Sequence, residues 1–483
     1  MNNSMLRVSS LAIVAMVVAV MAVTDAPVRA VASPIIASLD DGGQQVEAQR
    51  DVSVRRSRLV ALDTRTLPTP SADPRALSQR QPALTFELFP DVFVVAQFTR
   101  SESIAGYTTW VGRVEGEPTS HVTLVYGNGM LTGNISSPRG SFRIRPVSDA
   151  LRAQLTVPAG AAHEIAELNH DVLPKEAEPV EVVLDPAQLA AAEPAPATDN
   201  PVIDVMVLYT PLARVWAGTR GGIEQLIALG VSETNASYVA SGVNQTVRLV
   251  HMAEVAYTEP NDFGTALSEL RANAGALANV GGLRNTYGAD LVALLVQPSV
   301  PSACGIAYVQ STVSTAFAPN GYSVTGASCV TQFTMAHEWG HNMGAQHDWY
   351  VSSSRLPFTY AHGYANPAPT HRWRTIMAYN DLCSVQGFSC RRLLAWANPT
   401  IKTNPYCATA GANCNTRLWF LPGDPMGVPA GTKSDCTTGS LTNWQCDADD
   451  RQALNNTGAT VAAFRATVAA ATPTATSTTS RRQ

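Results

Sequence analysis

No cysteine occurs in the first 303 residues of this 483-residue chain, so a thiolate ligand or switch from that half of the sequence is excluded. Charge is scarce as well: 15% of residues are charged, the formal net charge is −5, and no run of Lys and Arg stands out. Nucleic acid and anionic membrane surfaces therefore lack the electrostatic footprint they would need and are excluded as partners. Beyond the N-terminus no apolar stretch approaches the roughly 20 residues that span a bilayer, so the product is expected to be soluble. No Cys-x-x-Cys pair of the kind that builds a zinc ribbon is present.

What is present divides along the chain. Arg7 precedes an apolar run over residues 11–23, and Ala30, Val31 and Ala32 offer small residues for cleavage near Ser33, so residues 1–32 read as an export signal and the product as secreted. Residues 33–80, poor in aromatics, read as a flexible lead-in. Over residues 81–184 short β-rich runs such as Phe86-Glu87-Leu88-Phe89, Thr108-Thr109-Trp110-Val111 and His121-Val122-Thr123-Leu124 alternate with turns, Gly127-Asn128-Gly129 among them, which predicts an antiparallel β domain ending in the strand 180–183. An Ala/Pro linker fills residues 185–200.

From residue 201 the pattern changes. Apolar strands at 202–209, 245–257 and 289–296 alternate with helical segments at 222–241 and 263–274, which predicts an α/β (α+β) unit over 201–467 with a mostly parallel twisted sheet. His251, alone in its strand, reads as a packing residue. Residues 305–309 read as an edge strand beside a cleft and 322–330 as the strand leading into a helix over 332–343. All eight cysteines lie from Cys304 to Cys446, an even count that in an exported chain predicts disulfides. Short closures are expected, 304 with 329, 383 with 390, 407 with 414 and 436 with 446, pinning an irregular lower lobe that ends in a helix over 449–466. The Ala/Thr/Pro/Ser-rich tail to residue 483 is expected to be disordered.

The chemistry concentrates in twelve residues, His337-Glu338-Trp339-Gly340-His341-Asn342-Met343-Gly344-Ala345-Gln346-His347-Asp348. On a helix, His337 and His341 lie one above the other on the same face and can share one metal ion. Glu338, beside the first ligand, can accept a proton from a water activated there and is the candidate general base. Gly344 can take positive φ, letting the helix stop and reverse so that His347 arrives as a third ligand.

This string resembles the motif of the metzincin zinc endopeptidases, H-E-x-x-H-x-x-G-x-x-H, and Thr375-Ile376-Met377-Ala378-Tyr379 resembles their Met-turn. Asp348 and the closing segment from Asp449 to Arg465 are most similar to the reprolysin-like (adamalysin-like) members, the secreted bacterial peptidyl-Asp metalloendopeptidases in particular. The resemblance implies one catalytic Zn2+ on His337, His341 and His347 and a turn at Met377; Met377-x-Tyr379 looks more like the astacin and serralysin turn, which implies that Tyr379 approaches the zinc and can stabilise the oxyanion. It also implies cleavage of protein or peptide substrates before Asp, for which Arg391 and Arg392 are the candidate pocket cations. The β domain is then expected to be a propeptide inhibiting its own enzyme, with a binding module kept in the mature protein as the competing reading. Since a cysteine switch is excluded, His163, His170 and Asp171 are the candidate donors to the zinc. Ca2+ at Asp447, Asp449 and Asp450 is a further candidate, and a monomer is expected. The rival functions are a secreted zinc-containing binding or adhesion protein with a non-cutting protease fold, and a hydrolase of non-peptide amides.

Overall fold

The computed structural model describes residues 36–38, 51–68, 83–117, 119–155, 162–192, 195, 198–368, 372–401 and 425–468. The expected export signal, the tail from residue 469 and the expected 407–414 pairing lie outside the described residues.

Nine strands form one antiparallel sheet: β1 (Ile36–Ser38), β2 (Val54–Leu62), β3 (Leu84–Phe89), β4 (Val92–Ile104), β5 (Tyr107–Val114), β6 (His121–Gly127), β7 (Met130–Ser137), β8 (Gly140–Pro146) and β9 (Ala162–Leu168). Their spatial order, β1-β2-β9-β8-β7-β6-β5-β4-β3, is a meander from β3 to β9 with β2 and β1 added at the far edge. Asn128 and Gly129, both at positive φ, turn β6 into β7 with Gly127 opposite Met130, the geometry of a two-residue hairpin. Alternate residues build a core around Phe86, Trp110, Ile135, Phe142 and Ile165.

Part of the expected lead-in is structured. β2 carries Arg55, Arg56 and Arg58, which masks it in sequence, but Arg56 pairs with Glu167 at 2.6 Å and with Asp91 at 2.7 Å. With its charged face satisfied, β2 buries Leu59, Val60 and Leu62 and pairs along β9.

The second sheet runs β10 (Val180–Glu181), β14 (Gly305–Val309), β15 (Tyr322–Gly326), β13 (Leu291–Val296), β11 (Val202–Tyr209) and β12 (Thr246–Glu254). Every pairing is parallel except β14 with β15. β13 is buried along its whole length, as an apolar run covered on both faces must be. The strand expected to close the antiparallel domain, at 180–183, is instead β10: it leaves that sheet and lies parallel to β14, with Val180 opposite Tyr308.

Among the described residues the α-helices of six residues or more are α1 (Pro211–Trp216), α2 (Arg220–Ser241), α3 (Phe263–Ala272), α4 (Val280–Tyr287), α5 (Thr334–Asn342) and α6 (Asp450–Val461). α2 starts on a Thr219 side chain that accepts from Gly222 N–H and stops at Gly242, φ +70°. It packs on β12 and α5 on one side and on β5, β6 and β7 on the other, so it is buried nearly all round. His251 stacks on Tyr287 with ring centroids 3.9 Å apart, a packing role.

The lower lobe holds a small sheet of β16 (Ala365–Asn366), β17 (Trp373–Arg374) and β18 (Arg391–Arg392). Disulfides close 304 with 329, 383 with 390 and 436 with 446, as the short spacings predict.

Candidate metal centre

α5 is short because its C-terminal end must turn sharply. Gly344 stands at φ +87°, Ala345 N–H donates to Gly340 O at 2.9 Å, and the chain doubles back to deliver His347 to the face that carries His337 and His341. Asn342 ties the end of the helix to the sheet, its Nδ2 donating to Tyr308 O at 2.8 Å and Tyr322 O at 3.1 Å.

The three Nε2 atoms lie 3.0, 3.1 and 3.2 Å from one another, and all three rings are buried. His337 Nδ1 donates to Ile376 O at 3.0 Å and His341 Nδ1 to Ala345 O at 2.8 Å. A carbonyl can only accept, so the proton sits on Nδ1 and each Nε2 turns a lone pair toward the others. Burial holds both imidazoles neutral, pushing His337 down to about 3 and His341 well below its usual value. Lone pairs crowded together need a cation between them. Tetrahedral zinc, with bonds of about 2.05 Å to nitrogen, sets its ligand nitrogens about 3.3 Å apart, so the residues fit the ion. Among the described residues these three histidines form the only group of three or more His, Cys, Asp or Glu side chains gathered closely enough to hold a metal.

Glu338 points away from any protein donor. Both carboxyl oxygens are buried without a hydrogen bond, and burial, with the Glu176 charge behind it, pushes the group well above the usual carboxylate range. Its neighbour is β14: a Cβ on Gly305 would stand 2.3 Å from Glu338 Oε1, so only glycine leaves room for the acid beside this strand.

The turn Thr375–Ala378 lies under the helix, with Ala378 N–H donating to Thr375 O at 3.2 Å and buried Met377 against Gly340. Asp348 joins the third histidine to this turn, its Oδ2 accepting from Tyr379 N–H at 2.8 Å and its Oδ1 from Tyr350 N–H at 3.0 Å. The Tyr379 ring packs on His347 with centroids 4.1 Å apart, and its hydroxyl donates to Glu176 O.

Arg391 and Arg392 part company. Neighbours on a strand face opposite ways, so Arg392 turns inward while Arg391 donates to Thr119 Oγ1 at 2.6 Å, in the connection between β5 and β6. Arg392 meets an acid that the sequence reading did not select, with Nη1 at 2.6 Å from Glu176 Oε1 and Nη2 at 3.0 Å from Oε2. The signal was available in Pro174-Lys175-Glu176-Ala177-Glu178-Pro179, two acids bracketed by prolines that hold the chain extended.

The donors expected to reach the metal do not. His163 is spent inside the sheet, its Nε2 accepting from Leu131 N–H at 2.9 Å; His170 is a half-buried ring that desolvation pushes down to about 4; Asp171 accepts from Ser389 Oγ at 3.0 Å. Nor are the calcium candidates gathered. Asp447 accepts from Gly431 and Lys433 N–H at 2.8 and 2.6 Å, and Asp449 caps α6 through Gln452 N–H at 2.9 Å.

Residues 199–404 match the reprolysin-like metallo-peptidases of family M12B. The chain is 32% identical over 410 residues to a peptidyl-Asp metalloendopeptidase of Stenotrophomonas maltophilia, covering 81% of this chain and 85% of that protein. A second Stenotrophomonas maltophilia strain has one 30% identical, with the same coverage of each chain. Another, from Xanthomonas campestris pv. campestris, is 31% identical over 72% of this chain and 71% of that protein. Likeness over that span, together with a tripod of buried imidazoles dimensioned for zinc, makes this chain a zinc metalloendopeptidase of the reprolysin-like M12B family.

Proposed function

We propose that the protein is a secreted, monomeric endopeptidase that cuts peptide bonds on the amino side of Asp, with Glu338 as general base, Arg392 as the cation of the substrate pocket and the nine-stranded sheet as its propeptide. The observation that carries the reading is the unpartnered carboxyl of Glu338, wedged between the three-histidine tripod and strand β14.

His337, His341 and His347 hold the zinc, which when bound polarises water and the scissile carbonyl and lowers the water's pKa to about 7. Peptide substrate lies along β14, whose backbone pairs with it as an added strand. Glu338 takes the water's proton and passes it to the departing amine. Tyr379, once its hydroxyl is released from Glu176 O, is placed to donate to the developing oxyanion. Asp348 keeps Tyr379 and His347 in register from behind.

Arg392 supports the Asp preference because it is a buried guanidinium already gripping a carboxylate with both terminal nitrogens. Arg374, with Nε on Cys390 O at 3.1 Å and Nη1 on Ala378 O at 2.7 Å, adds positive charge nearby. The propeptide reading is supported by the path of residues 175–181, which run from the nine-stranded sheet across the cleft to β14. A peptide-library digest with the processed, zinc-loaded protein tests the specificity. Cuts concentrated before Asp, lost in Arg392→Ala, are expected; cuts before bulky apolar residues with none before Asp would overturn it.

A further inference from the structure

We propose that Glu176 is a built-in mimic of an acidic substrate side chain, and that residues 175–181 keep the chain latent by seating this carboxylate on Arg392 in the specificity pocket, without supplying a ligand to the metal. The inference rests on the reading of Arg392 as the pocket cation.

The segment is held like a bound peptide. Cys304 N–H donates to Lys175 O at 2.9 Å and Ala177 N–H to Gly305 O at 2.8 Å, so the residues flanking Glu176 are both tied to the start of β14. Further along, Val180 and Glu181 lie opposite Tyr308 and Val309. Glu176 is the one buried residue between positions 171 and 183. A surface strand that turns a single carboxylate inward is presenting it to something.

What it meets is complete. Oε1 takes Arg392 Nη1 at 2.6 Å and the Thr334 hydroxyl at 2.9 Å, and Oε2 takes Arg392 Nη2 at 3.0 Å. Thr334 opens the helix of His337 and His341, while Arg392 belongs to the lower lobe. One side chain from the N-terminal part therefore clamps both walls of the cleft.

Ligation of the metal is the alternative, and the geometry disfavours it. Both oxygens of Glu176 are committed to Arg392 and Thr334. The segment's other acid, Glu178, stands 3.4 Å from His347 Nδ1, on the side of that ring away from the tripod. No fourth His, Cys, Asp or Glu joins the three histidines among the described residues.

The test uses the zinc-loaded full-length chain in four forms: native, Glu176→Gln, Glu176→Ala and Glu178→Gln. Two rates are read, tryptic cleavage after Lys175 by mass spectrometry and hydrolysis of a quenched peptide containing a single Asp. Cleavage after Arg113, inside the nine-stranded sheet, serves as the folding control. Losing a buried charge-assisted contact is worth about tenfold or more, so both Glu176 variants should gain at least that on both rates. Glu178→Gln should stay within about threefold of native, as an exposed group would. The proposal falls if Lys175 stays as protected in Glu176→Ala as in native, or if Glu178→Gln is the variant that frees the segment. Should no form hydrolyse any peptide even after tryptic removal of the segment, the endopeptidase reading fails, and cleavage after Lys175 still decides whether Glu176 seats the segment.

Discussion

Helix α2 has two neighbours and treats them differently. Toward the catalytic interior it offers Tyr238, stacked on Trp396, and Gly230, packed against Met335, within a cluster that includes Trp339 and Met343. Toward the nine-stranded sheet it offers Gln225, Ser232 and Glu233, each buried and hydrogen-bonded: Gln225 to Thr132 at 3.1 Å, Ser232 to Glu102 at 2.8 Å, Glu233 to Asn134 at 2.8 Å and to His121 at 3.1 Å. The sheet adds only Ile104, Tyr107 and Val125 to the apolar cluster. A seam of matched polar groups can part and be rewetted at small cost, whereas a seam of Leu and Trp cannot. That difference is what the proposed propeptide role of the sheet would require of the helix.

Glu338→Gln should break the site while sparing both faces of the helix. With the sheet removed, hydrolysis is expected to fall by roughly 10²- to 10⁴-fold, with zinc stoichiometry and unfolding midpoint unchanged; substantial residual turnover would exclude the base. Next, Leu294→Ala, in β13 beneath the interior face, should cost about 2–5 kcal/mol in the full-length and the freed protein alike, read by denaturant unfolding. Gln225→Ala sharpens the contrast: about 1 kcal/mol is expected in the full-length chain and a change within about 0.5 kcal/mol once the sheet has gone.

The smallest effect is a pH dependence. Burial pushes Asp290 up to about 7 and raises Glu233 from its ordinary 4.5. A carboxyl whose pKa rises on folding favours its protonated form there, so the stability it contributes is in place below the unfolded value and is lost as pH rises through the folded one. Asp290 belongs to the catalytic sheet and Glu233 to the seam. Calorimetry between pH 4 and 8 should therefore show a loss of stability with rising pH in both forms, steeper in the full-length chain, with Asp290→Asn removing the part they share.

The three-histidine group was legible because it is local: His337, His341 and His347, with Glu338, the proposed base, among them, fall within eleven residues, and helix period plus one glycine brings them together. The parallel strands of the catalytic sheet were legible as apolar runs for the same reason. What escaped depends on distance. β2 hides behind arginines whose partners, Glu167 and Asp91, are remote in sequence. The strand at 180–183 has no pattern that says which sheet it joins, and it joins the one that reads as belonging to another domain. Glu176 is one acid among 38 Asp and Glu until Arg392, 216 positions later, singles it out. Of the adjacent arginines, strand alternation sends only one inward, a choice invisible without the register of β17 and β18.

Gly305 sets a tolerance for the whole cleft. Were it alanine, the added methyl would collide with the acid across from it, and either the strand would bow outward, lengthening the reach to a bound peptide, or the acid would swing off the tripod. On the proposed mechanism, the spacing between the surface that would grip a peptide and the group that would move its protons is thus fixed by a residue with no side chain, and it admits no other.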